Sequence, residues 1–155
     1  MDSITAIARG IDNPLLQLIG MGLDSSAIYG IIILALVIIG ENRDDKRKKI
    51  ITSLVVALAL ATALKYLMAH ERPCAGEQWC PEDYSFPSLH ATVAFALMTG
   101  FLNKKSYLYY LAFALFVSFT RLNMGVHTFL DIAGALPVAL IAYYLTDIIW
   151  REKDG

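Results

Sequence analysis

Three separated fragments of this chain carry the residue types of one phosphate-handling pocket. Lys65 leads to Arg72-Pro73, Pro87-Ser88-Leu89-His90 follows, and Arg121, His127 and Asp131 complete the set. Together they supply three fixed cations, two imidazoles, a hydroxyl and a carboxylate. Arginine holds two phosphate oxygens through its planar fork, while lysine contributes a point charge. His127 and Asp131 are four apart, so they are neighbours on one helical face. A carboxylate beside one ring nitrogen sets the tautomer and leaves the other nitrogen free to attack. That makes His127 the strongest nucleophile candidate. His90 has the chemistry of a general acid for a leaving oxygen. Ser88 reads as a helix N-cap whose first turn offers free N–H groups to an anion.

Spacing predicts how these groups meet. Lys65 and Arg72 are two helical turns apart and share a face if the helix persists, with Pro73 marking its end. Gly125 permits a turn that brings Arg121 and His127 over one phosphate. A metal is not expected. His70-Glu71 leads into Arg72-Pro73-Cys74 without the second histidine of a zinc helix, and His127 with Asp131 offers two ligands where a catalytic zinc needs three. The neighbouring cations do electrostatically what a metal does elsewhere.

The elements that must position these residues are apolar. Of 155 residues, 57% are hydrophobic and 17% charged, with a mean hydropathy of +0.54; soluble domains carry about 25% charge. Runs near the ~20 residues that cross a bilayer extend over about 24–40, 50–68, 88–102, 107–120 and 128–150. This predicts an all-α integral-membrane bundle of about five transmembrane helices, forming a single domain over 1–155. Residues 1–22 read as an interfacial segment, with Asn13 as cap and Pro14 in the first turn. Asp24-Ser25-Ser26 reads as the cap of the first span. No basic n-region of a cleavable signal is evident at Met1-Asp2-Ser3.

The cations sort by side. Arg43 to Lys49 holds five, and Lys104, Lys105, Arg151 and Lys153 add four. With five spans all nine share a face, which the positive-inside rule makes cytoplasmic together with the C-terminus. Lys65, Arg72 and Arg121 fall at the opposite helix ends. Intramembrane cations are functional candidates by default, so the site is expected on the extracytoplasmic side of a cell membrane. The loop 70–87 lies there too. Its Cys74 and Cys80 can pair as a disulfide, stay as thiols or, least in keeping with their spacing, bind zinc with His70. Trp79, Tyr84 and Phe86 suit a lid at the membrane interface. The implied partners are the bilayer and a membrane lipid substrate, with no cofactor and no nucleic acid.

Lys65-x6-Arg72-Pro73, Pro87-Ser88-x-His90 and Arg121-x5-His127-x3-Asp131 resemble the three-part signature of the type 2 phosphatidic acid phosphatase superfamily, the integral-membrane lipid phosphate phosphatases. The resemblance covers about 13–150. It implies His127 as a nucleophile forming a phosphohistidine, Asp131 as its orienter and His90 as acid and then water activator. Lys65, Arg72, Ser88 and Arg121 would bind the phosphoryl oxygens. It favours a polyprenyl diphosphate as substrate. Phosphatidate or phosphatidylglycerophosphate hydrolysis, transfer to an alcohol, and lipid-phosphate binding without turnover are the alternatives. Leu89 stands where the family usually has Gly, Thr120 where Ser is commoner, and an N-terminal span common in relatives is missing.

Overall fold

The structure, a computed structural model, describes the backbone from Asp2 to Asp154 and side chains as far as Arg151. Seven helices account for the regular structure of these residues: α1 (Ser3–Arg9), α2 (Pro14–Asp24), α3 (Ser26–Gly40), α4 (Asp44–Met68), α5 (Leu89–Thr99), α6 (Tyr107–Asn123) and α7 (Phe129–Asp154). The charged stop expected at Arg151 to Gly155 lies mostly outside the described side chains.

The bundle is built around α5, which packs on α4, α6 and α7. Its interior is rich in small residues and also holds buried polar groups. Ala57, Ala91, Ala94, Ala96, Ala114 and Ala139 are fully buried, and such residues let helix backbones approach closely. Buried hydroxyls return to their own helices: Thr92 donates to Ser88 O (2.8 Å), Ser118 to Ala114 O (2.7 Å) and Thr146 to Ala142 O (2.8 Å). Thr120 likewise donates to Val117 O (2.7 Å). The outer faces are apolar, with Ile31, Ile39, Val55, Ile141 and Tyr144 all exposed. Polar groups kept inside and paired, with large apolar side chains outside, are the pattern of a protein whose solvent is lipid. The chain is an integral membrane protein.

Among the described residues, α4 and the Phe129–Arg151 part of α7 are long and apolar enough to cross a bilayer, and α2 with α3 forms a pair bent by 88°. The 11 residues of α5 reach about 16 Å, half of a ~30 Å hydrocarbon core. α5 is short because it begins at the site, inside the bundle. The charged stretch 44–49 is the first turn and a half of α4, not a connecting loop.

Local signals act where expected at several ends. Asn13 Oδ1 accepts from Leu15 N (3.0 Å) and Leu16 N (3.2 Å), with Pro14 as first helical residue. Ser88 caps α5 by accepting from Ala91 N (3.5 Å). Two expectations need correction. Asp24 does not cap the next helix but ends α2 with its carboxylate committed elsewhere, and Ser25 takes the cap position without a side-chain bond. The helix carrying Lys65 stops at Met68, before Pro73, with Ala69 in the left-handed region (φ 47°) and its N–H on Lys65 O (3.1 Å). Lys65 and Arg72 therefore do not share a helical face.

Candidate active site

Arg72 reaches the site from the loop. Its Nη1 donates to Val126 O (2.9 Å) and lies 3.3 Å from His127 Nε2, while its Nε donates to Asp83 O (2.9 Å). Gly125, at φ 70°, makes the turn from α6 that presents Val126 and His127; a Cβ there would stand 2.7 Å from Arg9 Nε. An arginine only donates, so Nε2 of His127 meets it as a lone pair. The ring proton then sits on Nδ1, which lies 3.5 Å from Asp131 Oδ2 without a hydrogen bond. Burial, reinforced by the charges of Arg72 and Lys65, outweighs Asp131 and lowers the His127 pKa to about 4. The imidazole is neutral and nucleophilic at neutral pH.

Asp131 is fully buried in the first turn of α7. Its Oδ2 accepts from Thr128 N (2.7 Å) and its Oδ1 from Ser85 Oγ (3.2 Å). Ser85 Oγ is also 2.8 Å from His70 Nδ1. Ser88 N donates to Asp131 O (3.2 Å), tying the α5 cap to α7. Phe86 is not a lid residue; it packs on α7 where a Cβ at Gly134 would come 2.2 Å from its Cε2. Trp79 and Tyr84 are exposed, and Cys74 and Cys80 are joined in a disulfide.

Lys65 and Arg72 converge on a group the sequence reading passed over. The Asp83 carboxylate takes Arg72 Nη2 on Oδ1 (2.6 Å) and Lys65 Nζ on Oδ2 (2.8 Å). Lys65 also donates to Tyr84 O. Burial alone would raise the Asp83 pKa, but the hydrogen bonds and charges of Lys65 and Arg72 hold it below the usual carboxylate range. Arg121 is fully buried in the last turn of α6 and turns toward α2, donating from Nη1 to Asp24 Oδ1 (2.7 Å) and from Nη2 to Gly20 O (2.7 Å). Its Nε has no hydrogen-bond partner among the described residues. It makes no direct bond to Arg72 or His127, although it lies within electrostatic range of Arg72 and His90. The His90 ring leans on Tyr29 (centroids 4.8 Å apart), whose hydroxyl donates to His90 O (2.8 Å).

The fold thus links Lys65 to Arg72 through Asp83, Arg72 to His127 and Ser88 to Asp131, stands Asp131 3.5 Å from His127, and sets His90 and Arg121 at the margin. Asp83, Asp24, Ser85 and His70 were missed as site residues. The one sequence signal was an acidic loop at the mouth of an anion pocket. An apolar groove of about 380 Å³ between α3, α4 and α5 runs to His90, with Tyr29, Ile33, Leu54, Leu58 and Leu89 among its walls. Leu89, the departure from Gly, is therefore a wall of this groove. A larger cavity of about 480 Å³ lies at the other end of the bundle, among Lys46, Lys49, Lys104 and Arg151.

The family model of the PAP2 superfamily matches residues 47–153. The chain belongs to the PAP2 superfamily. It is 32% identical over 111 residues to YbjG of Escherichia coli (strain K12), named provisionally as an undecaprenyl-diphosphatase; the match covers 66% of this chain and 56% of that one. The chain thus spans a little over half the length of this curated relative. Its fold is that of LpxE from Aquifex aeolicus (TM-score 0.74, 21% identity, 92% of each chain). It is also that of a transmembrane PAP2 type phosphatidylglycerolphosphate phosphatase from Bacillus subtilis (TM-score 0.71, 20% identity, 97% of this chain and 84% of that one).

Proposed function

We propose that this protein is a metal-independent phosphatase that hydrolyses a lipid phosphate or diphosphate through a phosphohistidine. The observation that carries the reading is His127 Nε2 standing 3.3 Å from the Arg72 guanidinium, beside a cation pair already gripping an anionic group. A phosphoryl group bound by Arg72 and Lys65 presents its phosphorus to Nε2. The N–P bond forms as the P–O bond to the leaving group breaks, and His90 gives the leaving oxygen its proton. A water then attacks phosphorus and surrenders a proton to His90. The N–P bond breaks, inorganic phosphate leaves and both histidines are restored. Asp131, 3.5 Å from Nδ1, counters the positive charge on the phosphorylated ring. The α5 N-terminus and Arg121 complete the anion field.

The groove ending at His90 is a bed for a lipid tail, and the undecaprenyl-diphosphatase name of the relative favours a polyprenyl diphosphate. On a reading of five crossings the site faces the extracytoplasmic side. Lys46, Lys49, Lys104 and Arg151 gathered at the far end of the bundle support that sidedness. The test is phosphate release from a long-chain polyprenyl diphosphate in detergent with chelator present. Release is expected, and His127→Ala should abolish it while lipid binding survives. Equal release by the variant would end the phosphohistidine mechanism, and release that depends on added metal would end metal independence.

A further inference from the structure

Glu71, Glu77, Glu82 and Asp83 make the 70–87 loop acidic beside a site made for anions, and the structure puts one of them inside it. We propose that Asp83 is the resting occupant of the phosphoryl site, an internal anion that a substrate phosphate must displace, so that Asp83 sets how much charge an incoming group needs to bind. The inference rests on the phosphatase reading and deepens it.

The geometry is that of a placeholder. Each Asp83 oxygen takes one cation, Arg72 at 2.6 Å and Lys65 at 2.8 Å. Two buried cations facing each other without an anion would repel at a large desolvation cost. A carboxylate carries one negative charge and two oxygens. A phosphoryl group carries about −1.5 to −2 and three strongly accepting oxygens, so it satisfies both cations and has an oxygen left for a further donor. A singly charged headgroup has no such advantage over the resident carboxylate.

The carboxylate also has a way out. The Lys65 and Arg72 side chains are 3% and 7% exposed, while that of Asp83 is 36% exposed, so the occupant lies on the solvent side of the cations it covers. The loop need not unfold to release it. Arg72 Nε holds Asp83 O, Lys65 holds Tyr84 O, and Ser85 N donates to His70 O (2.7 Å), all through backbone carbonyls. A turn of the Asp83 side chain vacates the site while these bonds persist. The same arrangement recurs at Arg121, where a half-exposed Asp24 covers a guanidinium that is 1% exposed.

A purely structural Asp83 would position the two cations for phosphate, and losing its charge would weaken phosphate binding. Displacement predicts the opposite. Binding of inorganic phosphate to the purified protein in detergent, followed by calorimetry, should tighten about tenfold in Asp83→Asn, equivalent to ~1.4 kcal/mol. KM for the lipid substrate should fall by a similar factor, with little change in kcat. Unchanged or weaker phosphate binding by the folded variant overturns the inference. Should Asp83→Asn fail to fold, infrared difference spectra of the wild-type protein carrying ¹³C-labelled aspartate decide. Saturating phosphate is expected to shift a labelled carboxylate band as Asp83 leaves its two cations for water, and unchanged aspartate bands overturn the inference. Turnover by wild type that His127→Ala abolishes establishes the phosphatase reading separately, so the two can fail independently.

Discussion

Asp131→Asn isolates the electrostatic part of the proposed mechanism. The side chain keeps its size, but one oxygen becomes an NH₂ facing either Thr128 N–H at 2.7 Å or Ser85 Oγ at 3.2 Å. Facing Thr128 it sets donor against donor. Facing Ser85 it leaves a neutral carbonyl toward the His127 ring. In both cases the charge 3.5 Å from Nδ1 is gone. When Nε2 carries the phosphoryl group the ring is cationic, and a unit charge pair at that distance is worth about 5 kcal/mol at an effective dielectric of 20. That corresponds to roughly 10³- to 10⁴-fold in rate. The loss should fall on kcat, because Asp131 does not touch the phosphoryl group, and KM should hold within a few-fold. His127→Ala should lose more, since the nucleophile itself is removed. Steady-state phosphate release on matched detergent preparations measures this, with a thermal melt to confirm folding. A folded Asp131→Asn enzyme within about tenfold of wild-type kcat would refute the charge-pair argument.

Two further outcomes follow from particular contacts. The His127 ring, assigned by its absence in His127→Ala, should titrate well below 6.5 by ¹³C-histidine NMR, because burial and two cations disfavour its charged form; an ordinary midpoint would mean that the ring is solvated. Gly134→Ala gains up to about 1 kcal/mol of helix propensity but drives a methyl to 2.2 Å from the Phe86 ring. Overpacking typically costs ~1–3 kcal/mol, so the variant should melt lower and lose turnover as Pro87-Ser88 shifts; a more stable and fully active variant would show that the ring swings aside freely.

The sequence by itself determined the class of the protein and named several of the groups that the fold brings together. Apolar runs with sparse charge demand lipid and an all-α bundle, because an unpaired backbone is intolerable in hydrocarbon. The Ser88 cap, the Asn13-Pro14 start and the Gly125 turn were legible because each depends on residues within a few positions of one another; His127 does come within 3.5 Å of Asp131, but from the turn before α7 and not from a shared helical face. Only the tertiary structure decided which charges meet. The α4 helix stops at Ala69, so Arg72 arrives by loop; Asp83 settles between it and Lys65; Arg121 turns to Asp24 across 97 residues of chain. Those pairings follow from where the 70–87 loop and α2 close over the bundle. A buried cation takes whichever carboxylate the fold brings within about 3 Å, and spacing along the chain carries no record of that distance.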